Sequence, residues 1–187
     1  MPSIVRSSRQ QSPLTPAVFL DRDGTIMHDV EYCGDLNQVE VFPDAAEALR
    51  RLKRSGFKIV IISNQSGIAR GYFSEADYRA VEGEVERQLG AGLIDGTYFC
   101  PEMPDSGSIR RKPETGMILE AQREHGIDLP RSFFIGDKAI DVECGRRAGT
   151  RTILVRTGIE PPSDHVGADW TANNLREAAE IILRHGV

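Results

Sequence analysis

The sequence predicts a single α/β domain built on a parallel sheet with helices on both of its faces. Short apolar runs alternate along the chain with amphipathic segments of helical length, and this alternation is typical of parallel strands joined by crossover helices. Several of the apolar runs are followed directly by charged or amide side chains. Open α/β sheets bind ligands at the carboxyl ends of their strands, so the pattern also predicts a functional site there.

The first predicted elements set this pattern. Ala17–Leu20 is an apolar run with the length and composition of a buried parallel strand. Residues 44–55 place their apolar side chains on one helical face, with Asp44 as the expected N-cap and Gly56 just beyond the end. A β-branched run over residues 57–62 predicts the next buried strand.

The later elements continue the alternation. Ser74 is expected to open a second helix, with Asp77 in an imperfect capping box, and that helix should extend to about Leu89. The remaining predicted elements are a strand over 94–100, a helix over 116–125, a strand over 133–136, a helix that ends near 148, a strand over 152–155 and a helix over 175–184. Two long irregular segments, 26–43 and 101–114, have a length that is usually functional in a compact domain.

Composition narrows the classes of function. A net charge of −5 disfavours a general nucleic-acid or membrane-surface binder, and no apolar stretch is long enough to span a bilayer. The three cysteines are scattered and odd in number, which favours a reducing cytoplasm over a disulfide framework. Residues 1–16 are rich in Ser and Pro and contain no acid, so we expect a flexible tail followed by one domain over 17–187.

Polar side chains collect at the predicted strand ends. They are Asp21 and Asp23 after the first strand, Ser63, Asn64 and Gln65 after the second, Arg111 and Lys112 at the end of the second irregular segment, and Asp137, Lys138 and Asp141 after the strand over 133–136. Each group alone has a structural explanation, as turn formers, surface charge or acids at a helix N-terminus. Their occurrence in this order along one chain is far more specific.

These segments resemble the four motifs of the haloacid dehalogenase superfamily of phosphotransferases, over roughly residues 17–158. Within it, the sequence is similar to the family of D-glycero-D-manno-heptose 1,7-bisphosphate 7-phosphatases, a close relative of histidinol-phosphate phosphatase. The runs that carry this resemblance are 19–26, 63–71, 111–113, 116–117 and 136–138. The resemblance implies a Rossmann-like parallel sheet, the haloacid dehalogenase fold, with a minimal cap made only of loops.

The resemblance also implies a mechanism. Asp21 would be the nucleophile that forms an aspartyl-phosphate, and Asp23 would act as general acid and then general base. A Mg²⁺ ion would be held by the carboxylates of Asp21 and Asp137 and by the backbone carbonyl of Asp23. Lys112 would neutralise charge that gathers on the phosphoryl oxygens.

Further substrate ligands are implied at the same motifs. They are Ser63, Asn64, Arg70, Arg111 and Lys138. The Ser63 hydroxyl and the Asn64 backbone amide would bind phosphoryl oxygens, whereas Arg111 and Lys138 would reach a second phosphate. Arg70 would either contact the substrate or shape its glycine-flanked loop. Asp141 would either orient the catalytic lysine or a metal-bound water, or compensate the dipole of its own helix.

The chain departs from the family at one loop. Members typically carry a structural zinc site whose Cys and His ligands precede the Arg-Lys-Pro run. Here those positions read Cys100-Pro101-Glu102 and Ser108-Ile109-Arg110. Structural zinc requires four tetrahedral Cys or His ligands, so we expect no structural zinc.

The implied function is Mg²⁺-dependent removal of the 7-phosphate of a heptose 1,7-bisphosphate, in the synthesis of nucleotide-activated heptose for bacterial lipopolysaccharide. Three alternatives stay open: a histidinol-phosphate phosphatase, a broader sugar-phosphate phosphatase, and a catalytically silent binding module on the same fold. The expected partner is a small sugar phosphate, with no nucleic acid and no membrane. We expect a monomer that acts in the cytoplasm.

Overall fold

The computed structural model describes residues 13–159 and 167–186. Six parallel strands form one sheet in the order β3-β2-β1-β4-β5-β6. The strands are β1 (Ala17–Leu20), β2 (Lys58–Asn64), β3 (Gly96–Cys100), β4 (Phe133–Gly136), β5 (Arg151–Val155) and β6 (Trp170–Ala172). The chain builds outward from β1 to β3 and then returns to place β4 on the other side of β1. The strand order therefore reverses between β1 and β4, which is where such sheets form a ligand crevice.

Five helices cover the two faces of the sheet. They are α1 (Ala45–Arg54), α2 (Glu75–Leu89), α3 (Gly116–His125), α4 (Ala139–Ala148) and α5 (Leu175–His185). Successive strand residues point to opposite faces, so Val18 and Leu20 pack with α1, α2 and α5, whereas Ala17 and Phe19 pack with α3 and α4. The predicted fold class, helices on both faces of a parallel sheet, is confirmed.

Two helices were predicted to begin at a capping residue, and only one of these residues makes a cap hydrogen bond. At α2, Ser74 accepts a hydrogen bond from the Asp77 backbone N–H, and the Asp77 carboxylate accepts one from the Ser74 N–H, so a complete capping box forms. Asp44 occupies the N-cap position of α1, but its side chain makes no cap hydrogen bond. Its backbone is already in the helical region, with φ −93° and ψ −7°, whereas a capping residue is normally extended.

Two differences from the predicted strands bear on the sheet. The second strand continues through Ser63 and Asn64, because both pair with β3, so these residues lie on the sheet edge rather than in a turn. The edge strand β6 was not predicted, since its three residues are too few to show a pattern of alternation. It is held beside β5, where the Asp169 carboxylate accepts hydrogen bonds from the backbone N–H and the hydroxyl of Thr152.

The backbone just before β1 is hydrogen-bonded to the rest of the fold. The backbone of Thr15 is hydrogen-bonded to Gly126 and Asp128, and the Pro16 carbonyl accepts from the Lys58 N–H. Residues 1–12 of the predicted tail lie outside the described residues.

None of the helices in the described ranges is long and apolar enough to cross a membrane. The connection from β1 to α1 contains one 3-10 turn, Leu36–Gln38, and the connection from β3 to α3 contains no helix or strand. Both segments are therefore loops, as predicted for the cap.

Candidate active site

Three carboxylates meet where the strand order reverses. Asp21 follows β1 and Asp137 follows β4, while Asp141 lies in the first turn of α4. One ligand oxygen from each lies within 4.8 Å of the others, and all three residues are buried. The backbone fixes this convergence, because the Asp21 N–H donates to the carbonyl of Ile135 in the neighbouring strand at 3.0 Å. Such an oxygen-rich cluster has the donor chemistry that Mg²⁺ prefers.

A single buried cation sits among these acids. The Nζ of Lys112 lies 2.8 Å from Asp21 Oδ1 and 2.7 Å from Asp141 Oδ1, and it donates to the Ile62 carbonyl at 2.9 Å. The lysine is 3% exposed, so these interactions act in a low-dielectric environment where they are stronger than in water. The predicted alternative of a surface charge for Lys112 is therefore wrong, and Asp141 contacts Lys112 directly.

The electrostatics of the cluster reflect an excess of negative charge. Burial raises the pKa of Asp21, against the opposing effect of Lys112. Burial, together with the charges of Asp21 and Asp141, raises the pKa of Asp137 to about 8. Burial opposes the charge on Lys112, but the two adjacent carboxylates outweigh it and raise the pKa of the lysine. One lysine does not balance three buried acids, so the site favours a further cation.

Two glycines pack directly against Asp137, and sequence patterns did not single them out for this role. A Cβ on Gly24 would lie 2.5 Å from Asp137 Oδ2, and a Cβ on Gly158 would lie 2.2 Å from the same atom. Gly24 also has a φ of +82°, which favours glycine. The hydroxyl of Thr157 donates to the Gly24 carbonyl at 2.6 Å. The loop after β5 therefore closes against the turn after β1 and confines the Asp137 carboxylate between them.

Asp23 is held apart from the three-carboxylate cluster. Its carboxylate accepts hydrogen bonds from Arg22 Nε and Nη2 at 2.9–3.1 Å, and from Gln65 Nε2 at 2.8 Å. The same Gln65 nitrogen donates to the Ser63 hydroxyl at 2.8 Å. Neither Arg22 nor Gln65 received a role from sequence reasoning. Their position beside Asp23 and Ser63 in the motifs was the available signal, but their burial and pairing were not.

A cleft of about 270 Å³ opens above these residues. Its floor is formed by Asp21, Asp23 and Lys112, and its walls include the 29–32 segment, residues 64–66 and Lys138. Two exposed apolar side chains, Ile140 and Ile159, lie at its margin. Both acidic and basic side chains therefore line the floor of the cleft, and its volume is sufficient for a small polar substrate.

Known proteins are similar to this chain in sequence and in architecture. A family described as HAD-hydrolase-like matches residues 109–178. The D-glycero-D-manno-heptose-1,7-bisphosphate 7-phosphatase of Thermosynechococcus vestitus is 38% identical over 189 residues, which cover 91% of this chain and 96% of that protein. The chain belongs to this phosphatase family. The D-glycero-beta-D-manno-heptose-1,7-bisphosphate 7-phosphatase of Escherichia coli K12 is also 38% identical and covers 90% of this chain and 94% of its own.

Solved structures agree with this assignment. The D,D-heptose 1,7-bisphosphate phosphatase of B. bronchiseptica, complexed with magnesium and phosphate, superposes with a TM-score of 0.80 at 29% identity, covering 90% of this chain and 98% of its own. A putative HAD-like phosphatase from Mesorhizobium loti gives a TM-score of 0.78 at 31% identity, covering 97% and 92%. The superfamily, the fold and the phosphatase class predicted from the sequence are confirmed.

Asn64 and Lys138, two of the predicted substrate ligands, line the cleft. Asn64 lines it, and its side-chain amide exchanges two hydrogen bonds with the backbone of Lys112 at 3.0 and 3.1 Å. Lys138 also lines it, with Nζ 2.9 Å from Asp29 Oδ2 and 3.9 Å from Asp137 Oδ2. The Asn64 side chain thus holds the segment that carries Lys112. Substrate binding by Asn64 and Lys138 stays a prediction.

Arg70 and Arg111 lie beyond the residues that line the cleft. The Arg70 guanidinium lies 5.7 Å from the ring centroid of Tyr32, which does line the cleft. Arg111 Nη1 donates to the carbonyl of Glu102 at 2.8 Å. Burial and the charge of Arg70 lower the pKa of Arg111, so the two guanidiniums form one region of positive potential beside Tyr32. Their predicted contact with substrate requires a ligand that extends past that ring.

The 101–110 loop, where we expect no structural zinc, is held by contacts among its own and neighbouring residues. Cys100 is buried, with its Sγ 3.8 Å from the Ser108 hydroxyl. The Ser108 hydroxyl also accepts from the Arg110 N–H at 3.3 Å, and Arg110 forms an ion pair with Glu120 at 3.0 Å. Across the described ranges, the only group of three or more metal-ligating side chains is the Asp21, Asp137 and Asp141 cluster. The zinc-free loop stays a prediction.

We expect the protein purified from zinc-supplemented medium to contain well below one equivalent of zinc after desalting, because only one thiol is available at the loop. Elemental analysis of the protein checks this directly. A thiol-selective zinc chelator should leave the thermal unfolding midpoint unchanged. Stoichiometric zinc, or a chelator-induced loss of stability that Cys100→Ser abolishes, would contradict the expectation.

Proposed function

We propose that this phosphatase removes the 7-phosphate of a D-glycero-D-manno-heptose 1,7-bisphosphate through an aspartyl-phosphate at Asp21. The observation that carries the proposal is the Lys112–Asp21 ion pair at the cleft floor, 2.8 Å long and almost excluded from water. The relatives with this activity in their names cover nearly the whole chain, which supports the choice of substrate.

The donor set fits Mg²⁺. The carboxylates of Asp21 and Asp137 and the backbone carbonyl of Asp23 would hold the ion, which supplies a Lewis acid that draws the anionic phosphate and the anionic nucleophile together. Burial and the charges of Asp21 and Asp141 raise the pKa of Asp137 to about 8, and a bound cation would favour its ionised form. Soft ligands are absent from the three-carboxylate cluster, as expected for a hard cation with oxygen ligands.

In the first step, an Asp21 carboxylate oxygen forms a bond to phosphorus while the bond from phosphorus to the sugar oxygen breaks. The leaving sugar oxygen takes a proton from Asp23, which becomes a carboxylate. Lys112 keeps its proton and offsets the charge on the equatorial oxygens. The Ser63 hydroxyl and the Asn64 backbone N–H donate to those oxygens in this proposal.

In the second step, a water oxygen forms a bond to phosphorus as the bond to the Asp21 oxygen breaks. Asp23, now ionised, takes a proton from that water. The products are inorganic phosphate and the regenerated Asp21 carboxylate, so atoms and charges balance over the cycle. The acid and base roles of Asp23 thus alternate, and the same side chain must reach both the leaving and the attacking oxygen.

The second phosphate of the substrate is assigned to the basic side of the cleft. Arg70 and Arg111 supply positive charge beyond Tyr32, and a planar guanidinium binds phosphate in two-point fashion. Lys138 Nζ lies 3.9 Å from Asp137 Oδ2. We therefore assign Lys138 to the transferred phosphate or its neighbouring hydroxyls, and not to the second phosphate expected from the sequence.

A second candidate, histidinol phosphate, is favoured by one observation. Asp29 and Glu31 line the cleft, and their carboxylates would suit the cationic amine of that substrate. Asp29 is already paired with Lys138, which leaves Glu31 as the free acid of this wall. The bisphosphate remains the first choice because two guanidiniums lie beside the same wall.

We further propose that the phosphatase acts as a monomer in the cytoplasm. Cys33, Cys100 and Cys144 are buried and unpaired within the described ranges, as is common in a reducing compartment.

The test of the proposal is a comparison of kcat/KM, with Mg²⁺ present, for both anomers of the heptose 1,7-bisphosphate and for histidinol phosphate. We expect a preference of about 100-fold or more for a bisphosphate, equivalent to about 2.7 kcal/mol of transition-state binding. Arg111→Gln should reduce that preference by raising KM. Equal activity on all three esters would overturn the substrate while leaving the aspartyl-phosphate chemistry intact.

A further inference from the structure

We infer that Gln65 and Arg22 are positioning residues that set the direction of the Asp23 carboxylate, and that Gln65 couples it to Ser63. This inference rests on the acid and base role proposed above for Asp23. It adds two residues to the site whose side chains need not touch the substrate. Both lie within the motifs, yet neither is a nucleophile, a metal ligand or a predicted phosphate ligand.

Gln65 is placed to link two functional groups. It is 4% exposed, and its backbone N–H donates to the carbonyl of Cys100 at 2.7 Å, which fixes its main chain to the end of β3. Its single amide nitrogen carries two hydrogens, and both are used at 2.8 Å, one toward Asp23 and one toward Ser63. A carboxylate accepts but does not donate, so this contact also fixes which way the amide faces.

Arg22 is the second residue that holds the Asp23 carboxylate. Its side chain is fully buried, and its guanidinium meets Asp23 through Nε and Nη2 at 2.9–3.1 Å. The guanidinium carbon lies 5.2 Å from the ring centroid of Tyr78, a buried residue of α2. Burial under this ring leaves Arg22 little freedom to move. A planar fork of this kind fixes the plane of the carboxylate as well as its position.

Together the two residues fill the acceptor positions of Asp23. One oxygen receives Nε and Nη2 of the arginine, and the other receives Nη2 and the Gln65 amide. A carboxylate has about four lone-pair sites. For Asp23 to carry the proton that it gives to the leaving oxygen, one of these contacts must open, and the side chain then turns toward that oxygen while the remaining donors still hold it. Arg22 and Gln65 therefore determine the orientation of the Asp23 side chain before the first step. They also determine the orientation to which it returns between the two steps.

The contact with Ser63 has a separate consequence. Because its oxygen accepts from Gln65, the hydrogen of the Ser63 hydroxyl must point elsewhere. Ser63 is 1% exposed, and in the proposed function that hydrogen donates to a phosphoryl oxygen. Loss of the Gln65 amide would release both the acid and this donor. Precise orientation of reacting groups accounts for a large part of enzymatic rate.

The leaving group separates this role from a general effect on folding. A sugar alkoxide needs the proton of Asp23, whereas 4-nitrophenolate leaves without one. Since kcat/KM includes only the steps up to the transfer of the phosphoryl group to Asp21, the water-attack step does not contribute to it. A change in the ratio of kcat/KM for a sugar phosphate to that for 4-nitrophenyl phosphate, in the same direction as the change in Asp23→Asn, therefore reports on the acid function.

The experiment measures this ratio in the wild type, Asp23→Asn, Gln65→Met and Arg22→Lys, with any sugar phosphate that the wild type hydrolyses. For Gln65→Met we expect the ratio to fall by about 10-fold or more, in the direction of Asp23→Asn, because general acid catalysis is worth about 10²–10⁴-fold. Arg22→Lys, which keeps the charge but not the fork, should shift it the same way. The Mg²⁺ activation constant and the thermal midpoint of Gln65→Met should stay near the wild-type values.

Gln88→Met is the matched control. The Gln88 amide donates to the Val39 carbonyl and accepts from the Val41 N–H at 2.9 and 3.1 Å, so it also holds a loop, but it lies away from Asp23. Its ratio should equal that of the wild type. Release of Ser63 lowers kcat/KM for both substrates, so the ratio decides the outcome: a wild-type ratio in Gln65→Met, while Asp23→Asn lowers it, overturns the inference. If Asp23→Asn itself leaves the ratio unchanged, the proposed acid role fails instead.

Discussion

Replacing Asp21 with asparagine is expected to lower turnover by about 10⁴-fold or more, because an amide does not form the acyl-phosphate. The substitution changes little else in the shape of the site. Asp21 is buried, and burial raises its pKa, so its ionised form is held at a cost to the folded state. We therefore expect the thermal midpoint of the Asp21→Asn variant to equal or exceed that of the wild type. Activity assays with Mg²⁺ and thermal unfolding measure the two effects.

The control for this prediction is Asp44→Asn. Asp44 precedes α1 and makes no side-chain cap hydrogen bond, so the same chemical change there should leave turnover intact. Mass spectrometry of rapidly quenched enzyme should detect a phosphorylated wild type and no phosphorylated Asp21→Asn. Residual turnover of a few per cent in that variant would assign the nucleophile to another group.

Replacing Lys112 with methionine is expected to have the largest combined effect on stability and rate. The ammonium lies within 2.8 Å of both Asp21 and Asp141 in a buried site. Removal of one partner from a buried ion pair leaves an uncompensated charge and costs about 3–5 kcal/mol. The loss of charge stabilisation at the phosphoryl oxygens should lower kcat by about 10³-fold. Urea unfolding in EDTA and assays with excess Mg²⁺ measure the two effects.

The stability deficit of Lys112→Met should depend on pH. With Asp137 at a pKa of about 8 and Asp21 also raised, the metal-free folded protein binds more protons than the unfolded chain between the ordinary carboxylate pKa and about 8. Its stability therefore falls as pH rises through that window. Loss of the lysine raises the carboxylate pKa values further, so the deficit should be larger at about pH 8 than at about pH 5.

Lys138→Met is the matched control for stability. Lys138 also faces carboxylates, but its side chain is 48% exposed, and exposed ion pairs contribute about 0–1 kcal/mol. Its variant should lose at most that amount. A Lys112→Met protein as stable as the Lys138→Met protein would show that the buried network does not stabilise the fold.

Much of the site can be predicted from the residues that follow each strand in the sequence. Asp21 and Asp137 each come directly after an apolar run that is long enough for a buried strand and too short for a helix. In a parallel sheet, all carboxyl ends lie at one edge, so residues 116 positions apart are brought together without further information. The capping residues of α2 were likewise predicted from neighbouring residues alone, and they form the expected capping box. Asp44 did not, because the backbone at that residue was set by the preceding loop.

The weaker predictions concerned side chains whose partners lie on other elements. Lys112 has the sequence context of a surface residue, yet the sheet edge buries it against two acids. Arg111 donates to the Glu102 carbonyl and is not among the residues that line the cleft, so its binding of substrate stays a prediction. The edge strand β6 depends on pairing with β5 and on the Asp169 side chain. None of these partners is visible in local periodicity or composition.

The sequence by itself determined the order of strands and helices, the side chains at the strand ends and, through its motifs, the phosphatase family. These are local properties, since the period of apolar residues and the polar residues that follow a strand are readable along the chain. Only the tertiary structure decided that Gln65 and Arg22 hold Asp23, that Gly24 and Gly158 confine Asp137, and that Lys112 is buried. Those arrangements arise from close packing between distant segments, where distances of a few tenths of an ångström decide which atoms meet.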